Sequence, residues 1–259
     1  MRAGPSHEGV GNDEMVGFRL LGGFEILRGT SRPAVPLPAQ RLTALLTLSG
    51  EVGRSHAAGI LWPEVEHGHA LANLRTALWR LRTLLPGIVR SSGSGLRVDP
   101  EATVDLHDSE ALAHRILHGD LSPHQARRAV RRLSDDLLPD WDDEWLVFDR
   151  ERFKDLRIHA LERLCDRLSA LGEHAEAVQC GLLAVRGEPL RESSHRALMR
   201  AHIAEGNPAR ALQVFLLLER QLDLELQVSP SPATVDLAHE LLGSRETAEA
   251  AEGAVSASG

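Results

Sequence analysis

A mainly α-helical chain in two parts, the first of mixed α and β structure and the second all-α, is predicted by three observations. Apolar residues make up 42% of the sequence and aromatic residues only 3%, with no tyrosine. That balance suits helices packed through leucine and alanine better than a sandwich or an aromatic-lined barrel. The thirty residues from His69 to Val98 hold five arginines and no Asp or Glu, although the whole chain carries a formal charge of −8. They read as a helix followed by a glycine-tipped hairpin. Finally, the stretch between Leu168 and Asp223 repeats with an offset of 34 residues, a helix-pair period. Helix followed by hairpin is the layout of recognition helix and wing, so the expected architecture is an N-terminal winged helix-turn-helix and then an all-α, tetratricopeptide-like domain.

With 259 residues the chain has room for two buried cores. Residues 1–15 and 244–259 are rich in glycine, charge or small polar side chains and are expected to be disordered tails. The first domain is placed over 16–104 and the second over 105–243. Val16 to Leu27 reads as a strand pair turning near Gly22 and Gly23. Ala39 to Glu51 and Ser55 to Glu64 read as helices, Ser55 as the N-cap of the second and Pro63 as its end. His69 to Pro86 is the third helix, and Ile88 to Pro100 gives two strands around an SSGSG tip.

In the second half, Gly172 aligns with Gly206 and Ala177 with Ala211. The glycines end one helix before the next begins, and the small residues permit close helix crossing. Ala177, Gly181, Ala184 and Pro189 follow the small, bulky, small, proline pattern of a second repeat helix, with Gly181 in the bulky place. Ala211 and Phe215 keep that pattern in the second copy, whereas Leu218 and Asp223 depart from it. The charge also divides. Before Leu106 there are 11 basic and 10 acidic residues, and from there on 18 and 27. A near-neutral domain with a basic island can approach DNA, while a strongly acidic one is better suited to meeting protein.

In a helix over 71–85, Leu71, Leu74, Leu78, Leu81 and Leu85 fall on one stripe and face the core. The opposite face carries Ala72, Asn73, Thr76, Trp79, Arg80 and Thr83. A helix in the major groove reads base edges from its outward face and holds phosphate from its flanks. Asn73, Thr76 and Arg80 are therefore assigned to bases, and Arg75 and Arg82 to backbone. Trp79 is expected chiefly to pack against the preceding helix or the wing, contact with a thymine methyl being its other role. Arg90 and Arg97 flank the hairpin tip, and one of them is expected to enter the minor groove. Gln40, Arg41, Ser55 and His56 sit at predicted helix starts, where phosphate contacts are favoured.

Enzyme chemistry finds no site. Lys154 is the only lysine and no phosphate-loop motif surrounds it. The 13 histidines are scattered, with His67 and His69 lacking companion ligands. The acidic residues Asp135, Asp136, Asp140, Asp142, Asp143 and Glu144 lack calcium-loop spacing and are read as a solvated loop beside a packed pair, Trp141 and Trp145. No enzyme, cofactor or metal is expected. Cys165 and Cys180 have no disulfide-framework spacing and read as core residues of a reduced protein. No apolar run reaches membrane length and no signal-peptide core is present, so a cytoplasmic location without membrane partners is expected.

With these residues in view, the chain from about Phe18 to Leu242 resembles the actinobacterial antibiotic regulatory protein (SARP) family of transcription activators in its short form. The marks are FRLLGGFEILRG, LPAQRLTALLTL, ILWPE, LWRLRTLLP, VDLHDSEALA, LCDRLSALGEHAEAV and PLRESSHRALMRAHIAEGNPARALQVF, in that order and spacing. The resemblance implies an OmpR-like winged helix fused to a bacterial transcriptional activator domain. It implies binding to promoter-proximal direct repeats in double-stranded DNA, recruitment of RNA polymerase including its sigma factor, and control of a specialised-metabolite gene cluster. Arg80 and Arg82 match DNA-contacting positions of the family, and Trp79 stands where a small polar residue is frequent. The helical domain would face polymerase or the second protomer of a homodimer on DNA. An alternative reading is a repeat-type protein-interaction scaffold whose winged helix does not bind DNA; a repressor on the same DNA site is a third.

Overall fold

The computed structural model describes residues 16–241 apart from Ser94 and Asp120, so the tails expected over 1–15 and 244–259 lie outside the described residues. The chain divides into two units. The first runs through His107 and takes back Leu137–Asp149; the second comprises Asp108–Asp136 and the described residues from Arg150 on. The division read from sequence, after residue 104, differs most in that returning segment.

In chain order the first unit contains β1 (Val16–Arg19), β2 (Glu25–Arg28), α1 (Leu37–Ser49), β3 (Val52–Gly53), α2 (Arg54–Leu61), α3 (His67–Leu84), β4 (Val89–Ser92), β5 (Gly95–Val98) and β6 (Thr103–Val104). β1 and β2 pair antiparallel, Phe18 opposite Ile26, and β6 pairs parallel to β1. The chain reverses through Gly22 and Gly23, whose positive φ angles of 75° and 144° are readily available only to glycine. A second sheet of order β3-β5-β4 holds the hairpin. α1 begins two residues earlier than expected, with Pro36 as N-cap and Pro38 in its first turn, where a missing N–H costs no helical hydrogen bond. Ser55 is not an N-cap. Gly53 takes that place and no side chain caps α2, because α2 starts directly from β3.

Two distant contacts close this unit. Asp105, which opens α4 (Asp105–His118), accepts hydrogen bonds from the backbone N–H of Leu20 at 2.8 Å and Leu21 at 3.1 Å. Burial pushes its carboxyl above the usual aspartate range, and the backbone donors pull it back only in part. The returning segment docks at the same place: Leu137 bridges Leu21, and the Leu138 N–H donates to the Leu20 carbonyl at 2.8 Å. Trp141 stacks on Phe24 at 5.7 Å between ring centroids, while the Trp145 indole donates to Asp143. The expected Trp141–Trp145 pair is thus replaced by two separate contacts. Asp143 pairs with Arg41, so part of the acidic loop is engaged with its own unit.

The second unit contains α4 from Asp108 on, α5 (Pro123–Arg132), α6 (Val147–Ala170) from Arg150 on, α7 (His174–Gly187), α8 (Glu192–Ala204), α9 (Pro208–Leu226) and a helical segment over 232–241. α5 opens with a capping box in which Ser122 and Gln125 each satisfy the other's backbone N–H. The repeat is closed twice in the same way. Gly172 and Gly206 adopt φ of 77° and 84°. Beyond them the Glu173 N–H reaches the Leu168 carbonyl at 3.0 Å and the Asn207 N–H the His202 carbonyl at 2.8 Å, the six-to-one bond of a glycine-ended helix. Ala177, Gly181 and Ala184 are buried on α7, and both cysteines are buried. Burial raises the Cys165 thiol to about 12 and the Cys180 thiol as well, which keeps both protonated and inert.

Gly181 explains its own departure from the repeat pattern. A Cβ there would lie 2.9 Å from the Cβ and 3.0 Å from the Cα of Leu198, so α8 passes directly over this residue. Gly181→Ala is expected to destabilise the second unit by about 1–3 kcal/mol through overpacking, although alanine is ordinarily the better helix former by about 0.5–1 kcal/mol. Urea unfolding followed by far-ultraviolet circular dichroism checks the sign. Asp105→Ala leaves the Leu20 and Leu21 donors without their acceptor and is expected to cost about 1–3 kcal/mol. All four tryptophans, Trp62, Trp79, Trp141 and Trp145, belong to the first unit, so their fluorescence reads that loss.

Candidate nucleic-acid interface

The outward face of α3 follows from what its inward face buries. Ala70, Leu74, Ala77, Leu78 and Leu81 are buried, Leu85 just past the helix end is buried too, and α3 packs against α1 and α2. Leu71, expected in the same stripe, is only half-buried, and Ala70 and Ala77 complete the stripe in its place. Asn73, Arg75, Thr76, Trp79, Arg80 and Arg82 are all exposed. Asn73 lies within the helix and caps nothing. Among the described residues, the side chains of Asn73, Arg75 and Arg80 make no hydrogen bond or ion pair. Trp79 does not pack. The residue is 66% exposed, at the pole of the helix opposite Leu74 and Leu81.

Hydrogen bonds within the unit engage two of the side chains assigned from sequence. The Thr76 hydroxyl donates to the Ala72 carbonyl at 3.1 Å, and the Thr83 hydroxyl donates to the Trp79 carbonyl at 2.9 Å. Each is spent on its own helix in the way usual for mid-helix threonines. Arg82 is engaged with the wing, its guanidinium donating to Ser91 Oγ at 2.8 Å. The same hydroxyl accepts from Arg54 at 3.0 Å, and Arg54 also donates to the Gly93 carbonyl at 3.0 Å. Arg54 was not singled out from sequence. It lies on α2, remote in sequence from the tip it touches, and only its position next to the Ser55–His56 pair hinted at it.

The wing separates its two arginines. Arg90 and Arg97 are direct cross-strand partners and share a face. Arg90 pairs with Asp99 at 2.8 Å. Its hydrogen bond, with that of the Glu101 N–H, holds the Asp99 carboxyl below the usual carboxylate range. Arg97 is exposed and makes no hydrogen bond or ion pair with a described residue. The helix-start contacts are mostly occupied: Gln40 donates to the Val35 carbonyl at 2.6 Å and Arg41 is paired with Asp143, whereas Ser55 and His56 are exposed. The acidic second unit has a basic patch of its own, where Arg115, Arg128, Arg131 and Arg132 line a cavity of about 550 Å³. An overall charge count hides it.

A winged helix with an arginine-bearing outward helix, followed by helix-pair repeats, is the build of a transcription regulator. The family model described as Bacterial transcriptional activator domain matches residues 104–242, and the chain belongs to that family as a regulator of the SARP type. It is 33% identical over 244 residues to the Regulatory protein AfsR of Streptomyces coelicolor, an alignment covering 87% of this chain. It spans 24% of the length of that curated relative. Its fold matches Mycobacterium tuberculosis EmbR, solved in complex with a low-affinity phosphopeptide. The TM-score is 0.70 at 20% identity, and the match covers 93% of this chain and 70% of that one. Among the described residues no helix is long and apolar enough to cross a membrane.

Because Arg90 depresses the Asp99 carboxyl, their pair contributes stability above the ordinary aspartate pKa and loses it as pH falls through the lower folded value. Arg90→Gln is expected to return the Asp99 carboxyl titration, followed by carbon NMR, toward the ordinary aspartate value. An unmoved midpoint contradicts the pairing.

Proposed function

We propose that the protein is a sequence-specific transcription activator that binds promoter-proximal direct repeats in double-stranded DNA and recruits RNA polymerase, including its sigma factor, at a specialised-metabolite gene cluster. The observation that carries this reading is the outward side of α3, where Arg75 and Arg80 stand exposed with no hydrogen bond or ion pair to a described residue, together with Arg97, likewise without one, on the adjoining wing. Exposed guanidinium groups without a carboxylate partner are what a phosphate-lined groove attracts. In this reading Asn73 and Arg80 meet base edges, Arg75 meets the backbone, and Thr76 and Trp79 contact bases from the centre of the helix. Arg82 and Arg54, already converging on Ser91, present their remaining donors to phosphate beside the wing. Arg97, not Arg90, is the wing residue offered to the minor groove, since Arg90 is the one hydrogen-bonded to Asp99. The helical unit supplies the surface for polymerase or for the second protomer of a homodimer on DNA.

Fluorescence-anisotropy titrations with duplex DNA from the promoter nearest the protein's own gene, repeated over a range of salt, test this. Arg80→Ala is expected to lower discrimination at one base step by about 1–3 kcal/mol. Arg97→Ala is expected to weaken binding to all sequences and flatten the salt slope by about one unit, with Arg90→Ala giving the smaller change. Salt-insensitive partner capture without a DNA complex would instead favour the interaction-scaffold reading.

A further inference from the structure

The centre of α3's outward face is not its most polar part. Ala72, Thr76, Trp79 and Thr83 recur at steps of four, three and four residues, which stacks them in one row. Arg80 and Asn73 lie to one side of that row, and Arg75 and Arg82 to the other. Both threonine hydroxyls in the row donate to carbonyls of their own helix, so neither has a proton to offer a base. What remains in the row, on exposed residues, is the Thr76 and Thr83 methyl groups and a large indole. An apolar ridge between cationic flanks matches the major groove, where phosphates border a floor whose one apolar feature is the 5-methyl group of thymine.

Resting on the DNA-binding reading above, we infer that Thr76 and Trp79 read the 5-methyl group of thymine at the centre of the recognition site, while the arginines on either side read guanine or hold phosphate. Burying one methyl group in such a contact is worth about fourfold in affinity. The specificity comes from the threonine methyl and not from its hydroxyl, which ranks the substitutions at this position. Thr76→Val keeps the contact and Thr76→Ser loses it. Trp79→Ala removes the other wall.

The test uses the full chain and a duplex that it enriches from a random, unmethylated synthetic pool, so that thymine is the only source of the methyl group. Each thymine is replaced in turn by deoxyuridine, which lacks the methyl and keeps every hydrogen-bonding group. Wild type is expected to lose about fourfold in affinity at one or two central thymines. Thr76→Ser and Trp79→Ala should bind the thymine duplex about as weakly as wild type binds the uracil duplex, and should no longer distinguish the two bases at that position. Thr76→Val should behave as wild type. Thr76→Ser keeps the back-bonded hydroxyl and guards against misfolding of Trp79→Ala. Uracil tolerated at every position, or Thr76→Val as damaging as Thr76→Ser, overturns the inference, while selective and salt-dependent binding leaves the DNA-binding reading standing. A pool that yields no enriched sequence overturns both.

Discussion

Burial of the leucine stripe of α3 is the constraint on which the first unit depends. With Leu74, Leu78, Leu81 and Leu85 turned into the core, the 3.6-residue period leaves no freedom in what faces solvent. The side opposite must then carry Thr76, Trp79 and Arg80. Hydrophobic burial thereby sets the presentation of the polar residues, and no separate device is needed to aim them. The wing is held to the same helix from outside the core by Arg82 and Arg54, which meet on one serine hydroxyl. Single exposed hydrogen bonds are worth little each, about 0.5–1.5 kcal/mol. Two guanidinium groups on one oxygen nevertheless give the hairpin a preferred place beside α3.

The second unit rests on a different constraint, close approach of helices at small residues. Gly181 lets α8 cross α7 at its backbone, and the two positive-φ glycines, Gly172 and Gly206, return the chain for the next helix. Around the second closure, Met199, Ala211 and Ala238 form a smaller cluster with Phe215 and Leu237 against it. Glu192 fastens the segment over 232–241 by accepting from Ser231 and Thr234 at its start. Repeat geometry and end closure therefore come from separate residues.

What could be read from sequence was local. The α3 stripe, the glycine-tipped hairpin and the 34-residue repeat are periodic patterns, and a periodic pattern survives without knowledge of its partners. What escaped was set by contacts far apart in the chain. Leu137 docks on Leu21, Asp105 gathers the Leu20 and Leu21 donors, and Arg54 reaches the hairpin tip; none of these leaves a mark within a window of a dozen residues. The candidate site shows the same limit at finer scale. Exposure of Asn73, Arg75, Thr76, Arg80 and Arg82 followed from the wheel. Trp79 was misjudged because a large indole usually finds apolar cover, and at the outward pole of α3 it finds none. The Thr76 hydroxyl bond to its own helix and the Arg90–Asp99 pair are set by rotamer and by strand register, which the wheel does not carry.

The central claim is that the outward side of α3 enters a duplex groove, and the most direct measurement follows Trp79 itself. With 5-fluorotryptophan in place of the four tryptophans, fluorine NMR resolves each indole, and Trp79→Phe assigns the exposed one. On titration with an enriched duplex, the Trp79 resonance should shift and lose its sensitivity to solvent isotope, while that of Trp141, stacked on Phe24, stays in place. A Trp79 resonance unchanged at saturation with bound DNA would contradict the account.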